Sequence, residues 1–202
     1  MELELKKECL DTYELGEPQT LTQEETAETI VPDYCPDIAR IISAEGVVCL
    51  HGGTEQDGVT GTVRVTVLYT PENESGVRAL EFAMPFSAQG EGLAGCAHVV
   101  VETEIELLES RMLNPRKIFT RCKLVTHLAG CRKVCLTISS DAETDPALLV
   151  EKRCCGQTVS LLRQVAEKDL TFSETMSLSL GREGAAELLH CRANGIVTET
   201  KA

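Results

Sequence analysis

Residues 59–69 read VTGTVRVTVLY, and this stretch decides the fold of the 202-residue chain. Four of the odd positions from Val59 to Val67 are valine and the fifth is Gly61, whereas Thr60, Thr62, Arg64 and Thr66 occupy the even positions. Successive side chains of a β-strand point to opposite faces of the sheet. The alternation therefore predicts a strand with one valine-rich face for a core and one polar face.

The same two-residue period recurs on both sides of this stretch. After a turn at 71–76, the returning strand of a hairpin is predicted, and further strands follow along the chain. The segments with this alternation are 3–15, 77–86, 99–107, 118–128 and 131–139. Short strands separated by turn residues are typical of antiparallel sandwiches and barrels. We therefore expect a mainly β fold, an antiparallel β-sandwich or open barrel.

Two short helices complete the expected fold. Pro36 suits the first position of a helix, and Gly46 suits a helix end. Between them, Ile38, Ile41 and Ile42 have the i, i+3, i+4 spacing of a helix with one apolar stripe. This pattern predicts a helix at Pro36–Glu45 that packs on the following sheet.

A second helix is predicted at Gly184–Cys191, where AAELLHC echoes the earlier IARIISA. The expected organisation therefore has three parts. Residues 1–45 form an acidic N-terminal arm with the first short helix, and residues 46–140 form the β domain. Residues 141–202 contain a linker, best placed at 141–146, and the start of a second repeat that we expect to be truncated at Ala202.

Charge excludes one class of function and suggests a contact. The net charge is −13 and aromatic residues make up 3% of the chain, which argues against nucleic acid as the main ligand. Residues 1–45 contain twelve carboxylates and three basic residues, so 3 − 12 gives −9. The segment 111–133, called the basic segment below, contains no carboxylate. Its basic residues are Arg111, Arg116, Lys117, Arg121, Lys123, Arg132 and Lys133.

The basic segment allows two interpretations. It is a candidate interaction surface that docks against acidic residues, within the molecule or on a partner. Alternatively, it is a solvated strand face whose charges contribute little energy.

The cysteines and the N-terminus bear on the compartment. The chain contains ten cysteines and begins MELELKK, a charged alternation rather than the pattern of a signal peptide. No stretch reaches the eighteen or so apolar residues that a membrane-spanning helix needs. We expect a cytoplasmic protein without membrane insertion, whose thiols are mostly free.

Four further segments carry a family resemblance. They are IVPDYCPDI at 30–38, GTVRVTVLY at 61–69, MPFS at 84–87 and LNPRKI at 113–118. Together they resemble the SPOCS domain of SipL-like proteins, which help to assemble the spore coat of anaerobic endospore-forming bacteria. The match is densest over 23–139, with a second beginning at about 169–202. The LysM module that usually ends such proteins is not found in this sequence.

The resemblance implies a role but no catalytic residues. It implies spore coat or morphogenetic proteins as partners, possible self-association, tandem repeats, and a location on the mother-cell side of the developing spore. We expect a non-enzymatic assembly module without cofactors. The alternative is a carbohydrate- or peptidoglycan-associated binding domain, which would favour exposed aromatic side chains.

Candidate chemistry in the chain is sparse. Cys131-x3-Cys135 and the Cys154-Cys155 pair approach zinc-ligand spacing, but strand residues four apart lie about 13 Å from each other. No flanking signature marks His51, His98, His127 or His190 as the base for a cysteine nucleophile. We therefore expect no metal site and no catalytic site.

A structural motif is expected around three prolines. Its members are Pro32, Asp33, Pro36, Asp37, Asn114 and Pro115. The prolines fix the backbone, and the two aspartates are expected to accept hydrogen bonds from free N–H groups at the start of the first helix. Calcium binding by the aspartates is the less favoured alternative, because a further spaced acidic ligand is missing.

Overall fold

The computed structural model describes residues 4–51 and 58–143 continuously, together with residues 151, 153, 155–156, 158, 160–163, 173, 175, 177 and 189–191. Every regular element in the two continuous ranges is a strand, and the protein is mainly β with antiparallel sheets. The strands are β1 (Glu4–Leu15), β2 (Gln19–Ile30), β3 (Ile38–His51), β4 (Gly58–Pro71), β5 (Arg78–Gln89), β6 (His98–Asn114) and β7 (Lys117–Glu143).

Two sheets share the core. The first contains β1, β2, β6 and β7, and the second has the order β3-β4-β5. β7 is 27 residues long and organises the first sheet. β2 pairs with 117–128 and β1 with 131–143, so the two strands follow each other along one edge of β7. β6 pairs with the opposite edge over 117–131.

The alternating patterns place the core as predicted. In β4, Val63, Val65, Val67 and Tyr69 are at most 1% exposed, and Val59 is buried as well. The inward face of β7 is also fully buried, at Ile118, Thr120, Cys122, Leu124, Thr126 and Leu128. Residues of both sheets belong to one hydrophobic cluster. The interior thus lies between the valine face of β4 and the apolar face of β7.

The helix predicted at Pro36–Glu45 is wrong, because residues from Ile38 onward form β3. The register of β3 on β4 shifts between Ile38 and Arg40 and again between Ile41 and Ser43. Each β-bulge adds one residue, so inward positions become three apart instead of two. Ile38 and Ile41 therefore face the core at helical spacing while the backbone is extended.

The exposure of Ile42 also contradicts the predicted helix. A helix with the predicted stripe would bury Ile42, yet its side chain is 52% exposed.

The second predicted helix, Gly184–Cys191, lies outside the described residues except for 189–191, which have no regular structure. No helix in the described part of the chain is long and apolar enough to cross a membrane.

The boundaries expected at positions 45 and 140 do not separate structural units, because each falls within a strand. The acidic arm supplies β1 and β2 to the first sheet, and position 45 falls within β3. β7 continues through the expected boundary at 140 and ends at Glu143. The expected linker from 144 onward and most of the second repeat lie outside the described residues. A hydrogen-bonding contact of 3.2 Å between His190 Nε2 and a Glu45 carboxylate oxygen places His190 beside β3.

Candidate functional site

The predicted structural motif forms a compact loop at one end of the fold. The loop connects β2 to β3 over Val31–Asp37 and lies against the turn between β6 and β7. The N–H of Val31 donates to the Arg116 carbonyl at 2.9 Å, and the N–H of Ile38 donates to the Pro115 carbonyl at 2.9 Å. The first bond continues the pairing of β2 with β7, and the second ties the start of β3, in the second sheet, to the same turn.

Arg116 holds the interior of this loop. One terminal nitrogen, Nη1, donates to the Cys35 carbonyl at 2.7 Å and to Asp37 Oδ1 at 3.0 Å. The other, Nη2, donates to the Val31 carbonyl at 2.8 Å and to Asp33 Oδ1 at 3.1 Å. A planar guanidinium can bind several acceptors at once in a fixed fork. Val31–Asp37, called the clamped loop below, is therefore fixed by one side chain.

The turn that carries Arg116 is itself fixed locally. Asn114 Oδ1 accepts a hydrogen bond from the Arg116 N–H at 2.9 Å, two residues further along the chain. This side-chain-to-backbone bond is the one that asparagine favours in turns. With φ of Pro115 restricted by its ring, the turn aims the Arg116 side chain at the loop.

The carbonyl groups of the two prolines in the clamped loop also accept hydrogen bonds that fix its course. The Pro32 carbonyl accepts the Cys35 N–H at 2.9 Å and closes a β-turn with Asp33 and Tyr34 at its centre. The Pro36 carbonyl accepts the Tyr69 hydroxyl at 3.3 Å. Burial, and then the neighbouring Cys35 thiol, raise the pKa of Tyr69, so the phenol keeps its donor proton at neutral pH.

The six predicted motif residues therefore meet in one place, but the role predicted for the aspartates is wrong. No helix follows Asp37, so neither carboxylate caps one. Both carboxylates instead accept from Arg116, whose side chain is 33% exposed. The sequence could not reveal this pairing, since Arg116 lies 83 residues from Asp33.

The clamped loop presents one aromatic side chain to the solvent. Tyr34 stands at the tip of the turn and is 87% exposed. Ile30, the last residue of β2, is 71% exposed. A tyrosine on a rigid turn can bury a large area on a partner with little loss of side-chain entropy. No sequence motif marks Tyr34 as a binding residue, although its place in a turn between two prolines indicates exposure.

The basic segment is engaged within the molecule. Arg116 binds Asp33 and Asp37, while the next three basic residues along the chain pair with acidic residues of the flanking strands β2 and β6. These ion pairs are Lys117–Glu28, Arg121–Glu24 and Lys123–Glu106. The side-chain hydrogen bond and charge of Glu24 raise the pKa of Arg121.

The other three basic residues have different partners. The Arg111 guanidinium lies 4.9 Å from the centroid of the Phe119 ring. Arg132 donates to the Gly92 carbonyl, and Lys133 Nζ lies 3.3 Å from Asp11 Oδ2. The acidic arm and the basic segment are thus neighbours in one sheet, which is the intramolecular form of the predicted contact.

A groove runs along the seam between β3 and β6. Its volume is about 910 Å³, and its lining includes Ile42, Leu108, Phe119, Arg111 and Glu109. Its lining contains both apolar and charged side chains. No sequence pattern marked this groove, because β2, β3, β6 and β7, which are distant along the chain, all contribute to its lining.

The described cysteines that were considered as metal ligands or nucleophiles do not form a common site. Within the described ranges, no three His, Cys, Asp or Glu side chains are placed to hold a metal ion. Cys135 forms a disulfide with Cys9, whereas Cys131 is a free, half-buried thiol. Burial, and then the charge of Glu25, raise the pKa of Cys122 to about 11, which keeps this thiol protonated at neutral pH.

The histidines have local polar neighbours. Thr62 Oγ1 lies 2.6 Å from His51 Nε2, and Thr20 Oγ1 lies 3.0 Å from His127 Nδ1. The ring of His98 is tilted against that of Tyr13, with 6.1 Å between the ring centroids.

Comparison of the chain with protein-family models, with curated proteins and with solved structures gives no match.

Proposed function

We propose that this chain is a non-enzymatic protein-binding module that serves the assembly of the spore coat. The sequence motifs that resemble the SPOCS domain support the cellular role. The observation that carries the binding function is the clamped loop, because Arg116 rigidifies a turn whose tip, Tyr34, is 87% exposed. Two of the motifs that carry the resemblance, at 30–38 and 113–118, build this loop and its clamp.

The loop is suited to binding because it is organised before the partner arrives. Backbone bonds at Val31, Cys35 and Ile38 fix its course, and the Arg116 fork fixes its interior. A preordered loop loses less conformational entropy on association than a mobile one. Tyr34 and Ile30 then act as apolar anchors on a partner surface.

The proposal includes the remaining expectations about the molecule. The shared core between β4 and β7 supports a sandwich rather than an open barrel. No catalytic group and no cofactor take part, and the partners are other coat or morphogenetic proteins. The protein acts in the mother-cell cytoplasm, at the surface of the developing spore.

The test is localisation in a sporulating anaerobic endospore former. A fluorescent fusion of this chain should form a ring or cap around the forespore, and Tyr34→Ala should make the fluorescence diffuse. Thr60→Ala, an exposed substitution on β4, is the matched control and should retain the ring. A diffuse wild-type fusion throughout sporulation contradicts the proposed function.

The exposure of Tyr34 also favours the alternative, a domain that binds carbohydrate or peptidoglycan. An exposed aromatic ring can stack on the apolar face of a sugar. Co-sedimentation with purified spore peptidoglycan distinguishes the two functions. Under our proposal the protein stays in the supernatant, whereas sedimentation that Tyr34→Ala abolishes supports the carbohydrate-binding domain.

A further inference from the structure

The groove between β3 and β6, called the seam groove below, has an apolar wall that faces solvent. Ile42 and Leu108 supply this wall, and the Ile42 side chain is 52% exposed. An exposed apolar surface inside a concave site is typical of a binding site for another protein or ligand. The volume of about 910 Å³ leaves room for the tip of a loop.

The rest of the lining suits an aromatic ring that carries a hydroxyl group. The exposed Arg111 guanidinium lies 4.9 Å from the centroid of the Phe119 ring. A planar guanidinium has two faces, so a second ring can stack on the face opposite Phe119. Glu109, which is exposed in the same lining, can accept a hydrogen bond from a phenol. An apolar wall, a cationic face and an acceptor together match the chemistry of tyrosine.

A tyrosine that fits this description is presented by the chain itself. Tyr34 is 87% exposed, and no other large apolar side chain in the described part of the chain is as exposed. The clamped loop holds Tyr34 in solvent, so this ring does not occupy the seam groove of its own chain. The neighbouring Asp33 side chain is fully exposed and would bring a negative charge towards Arg111 of another copy.

Other occupants fit the seam groove less well. An apolar helix face would bury Arg111 and Glu109 without giving either a polar partner, which costs free energy. A basic segment would meet the like charges of Arg111 and Arg121. The tip of the clamped loop combines an apolar ring, a hydroxyl group and a carboxylate, and so offers a partner to each part of the lining.

We propose that the Tyr34 tip of one copy of this chain binds in the seam groove of another copy. The Tyr34 ring stacks on Arg111, and its hydroxyl group donates to Glu109. The tip and the groove are different surfaces, so the contact joins copies head to tail and can continue beyond two copies. A single tip covers less area than a standard interface, so we expect a weak contact with a dissociation constant of about 10 μM or more.

This inference rests on the proposed function and names one partner of the clamped loop, a second copy of the chain. The two can fail separately. If the wild type is monomeric in solution while Tyr34→Ala still disperses the fusion in sporulating cells, only the inference fails, and the loop binds a partner of different sequence. If the purified protein assembles through Tyr34 but the fusion never gathers around the forespore, only the proposed function fails.

The first test measures self-association of the purified full chain by sedimentation velocity over a concentration series. The mean sedimentation coefficient should rise with concentration past the value of a dimer. Tyr34→Ala and Ile42→Lys should each weaken the contact about tenfold or more, because they remove the aromatic anchor and the apolar wall. Val100→Lys is the matched control, since Val100 is 61% exposed nearer the start of β6, and it should associate as the wild type does. Non-reducing electrophoresis of the same samples excludes disulfides between copies.

The second test mixes the two defective variants. Tyr34→Ala retains an intact groove, and Ile42→Lys retains an intact tip. At a concentration at which each variant alone is monomeric, an equal mixture should form a heterodimer and nothing larger, because only one kind of contact remains. Its dissociation constant should match that of the wild-type contact. Formation of the heterodimer also shows that both variants are folded.

Four results overturn the inference. A wild type that remains monomeric at the highest soluble concentration excludes the contact. Association that stops at a dimer excludes the head-to-tail arrangement. A loss of association in Val100→Lys equal to that in Ile42→Lys means that added charge, not the groove, is responsible. A mixture of Tyr34→Ala and Ile42→Lys that stays monomeric shows that the tip and the groove are not partners.

Discussion

Arg116 shows how one side chain replaces the hydrogen bonds that an irregular loop lacks. The clamped loop has no sheet partner for the carbonyls of Val31 and Cys35, and both accept from the guanidinium. The two carboxylates that also bind it, Asp33 and Asp37, offset its charge. The bonds from the charged guanidinium to the two carbonyls are stronger than bonds between neutral groups, whereas the pair with the exposed Asp33 carboxylate contributes little.

Arg116→Lys should destabilise the protein by about 2 kcal/mol, because an ammonium cannot bind both sides of the loop at once. Urea unfolding monitored by circular dichroism measures the change. Arg153→Lys is the matched control, since the Arg153–Glu151 pair is highly exposed and its change should be within about 0.5 kcal/mol. Equal stability of Arg116→Lys and the wild type contradicts the clamp.

Cys122 predicts a loss of stability at alkaline pH. Its ordinary pKa of 9.0 is raised to about 11 in the folded protein, mainly by burial. Below pH 9 the Cys122 thiol is protonated in both the folded and the unfolded protein, so its titration does not reduce the unfolding free energy. Between these two pKa values the unfolded chain loses the proton and the folded chain keeps it. The unfolding free energy should therefore fall by up to about 1.4 kcal/mol per pH unit.

The comparison that isolates this effect uses Cys122→Val, which fills the site without a titratable group. Urea unfolding from pH 8 to about pH 11 should show a shallower decline for Cys122→Val than for the wild type. Cys155→Ser, at an exposed free thiol, should keep the wild-type slope. Parallel declines in all three proteins contradict the assignment.

At the scale of the element, bulges explain where sequence patterns succeed and where they mislead. The uninterrupted alternation of β4 and of 117–128 in β7 predicts their buried faces correctly. In β6 the register shifts between Ile105 and Leu107. Leu108 therefore packs against the core, whereas Leu107, which the simple alternation would bury, is 37% exposed.

β3 is the stronger example, because its two bulges imitate the period of a helix. Nothing in the sequence distinguishes a bulged strand from a short amphipathic helix over 38–46, since both place apolar residues three apart. Gly46, predicted as a helix end, has another role. A Cβ atom there would lie 2.8 Å from Ile105 Cδ1, so this glycine allows β3 to approach β6.

Gly46→Ala should therefore destabilise the protein by about 1–2 kcal/mol through crowding against Ile105. Ile105→Val removes the Cδ1 atom concerned and should lose about 1 kcal/mol alone. The double variant should be more stable than the sum of the single changes predicts. A double-mutant cycle by urea unfolding measures this coupling, and additive losses contradict the close approach.

At the scale of the whole molecule, the charge asymmetry of the sequence becomes a property of one sheet. β2 is rich in glutamate, and the neighbouring part of β7 carries Lys117 and Arg121, so opposite charges face each other across the strands. The sequence predicted the opposite charges of the two segments. It could not predict their partners, because these depend on β2 lying beside β7, about 90 residues later in the chain.

The candidate site was predictable to a similar extent. Prolines and asparagine mark turns by local chemistry, so the motif residues were recognisable one by one. Their meeting around Arg116 depends on the path of the chain between Asp37 and Asn114, and no local pattern encodes that path. No sequence pattern marks the pairing of Cys9 with Cys135, whereas seven other cysteines in the described part of the chain are free thiols.

The Cys9–Cys135 disulfide links the first strand to the last across 126 residues and encloses nearly the whole described fold. β1 contacts the described body chiefly through β7, so this bond secures its attachment. Closing so long a loop restricts the unfolded chain, and Cys9→Ser should lower the unfolding free energy by about 3–5 kcal/mol. Cys155→Ser, at an exposed free thiol, should change it by less than about 0.5 kcal/mol.

Thermal and urea unfolding with and without a thiol reductant complete this test. Reductant should lower the stability of the wild type to that of Cys9→Ser and leave the variant unchanged, because both then lack the constraint. A wild type whose stability does not respond to reductant, although thiol titration shows the bond broken, contradicts this role of the disulfide.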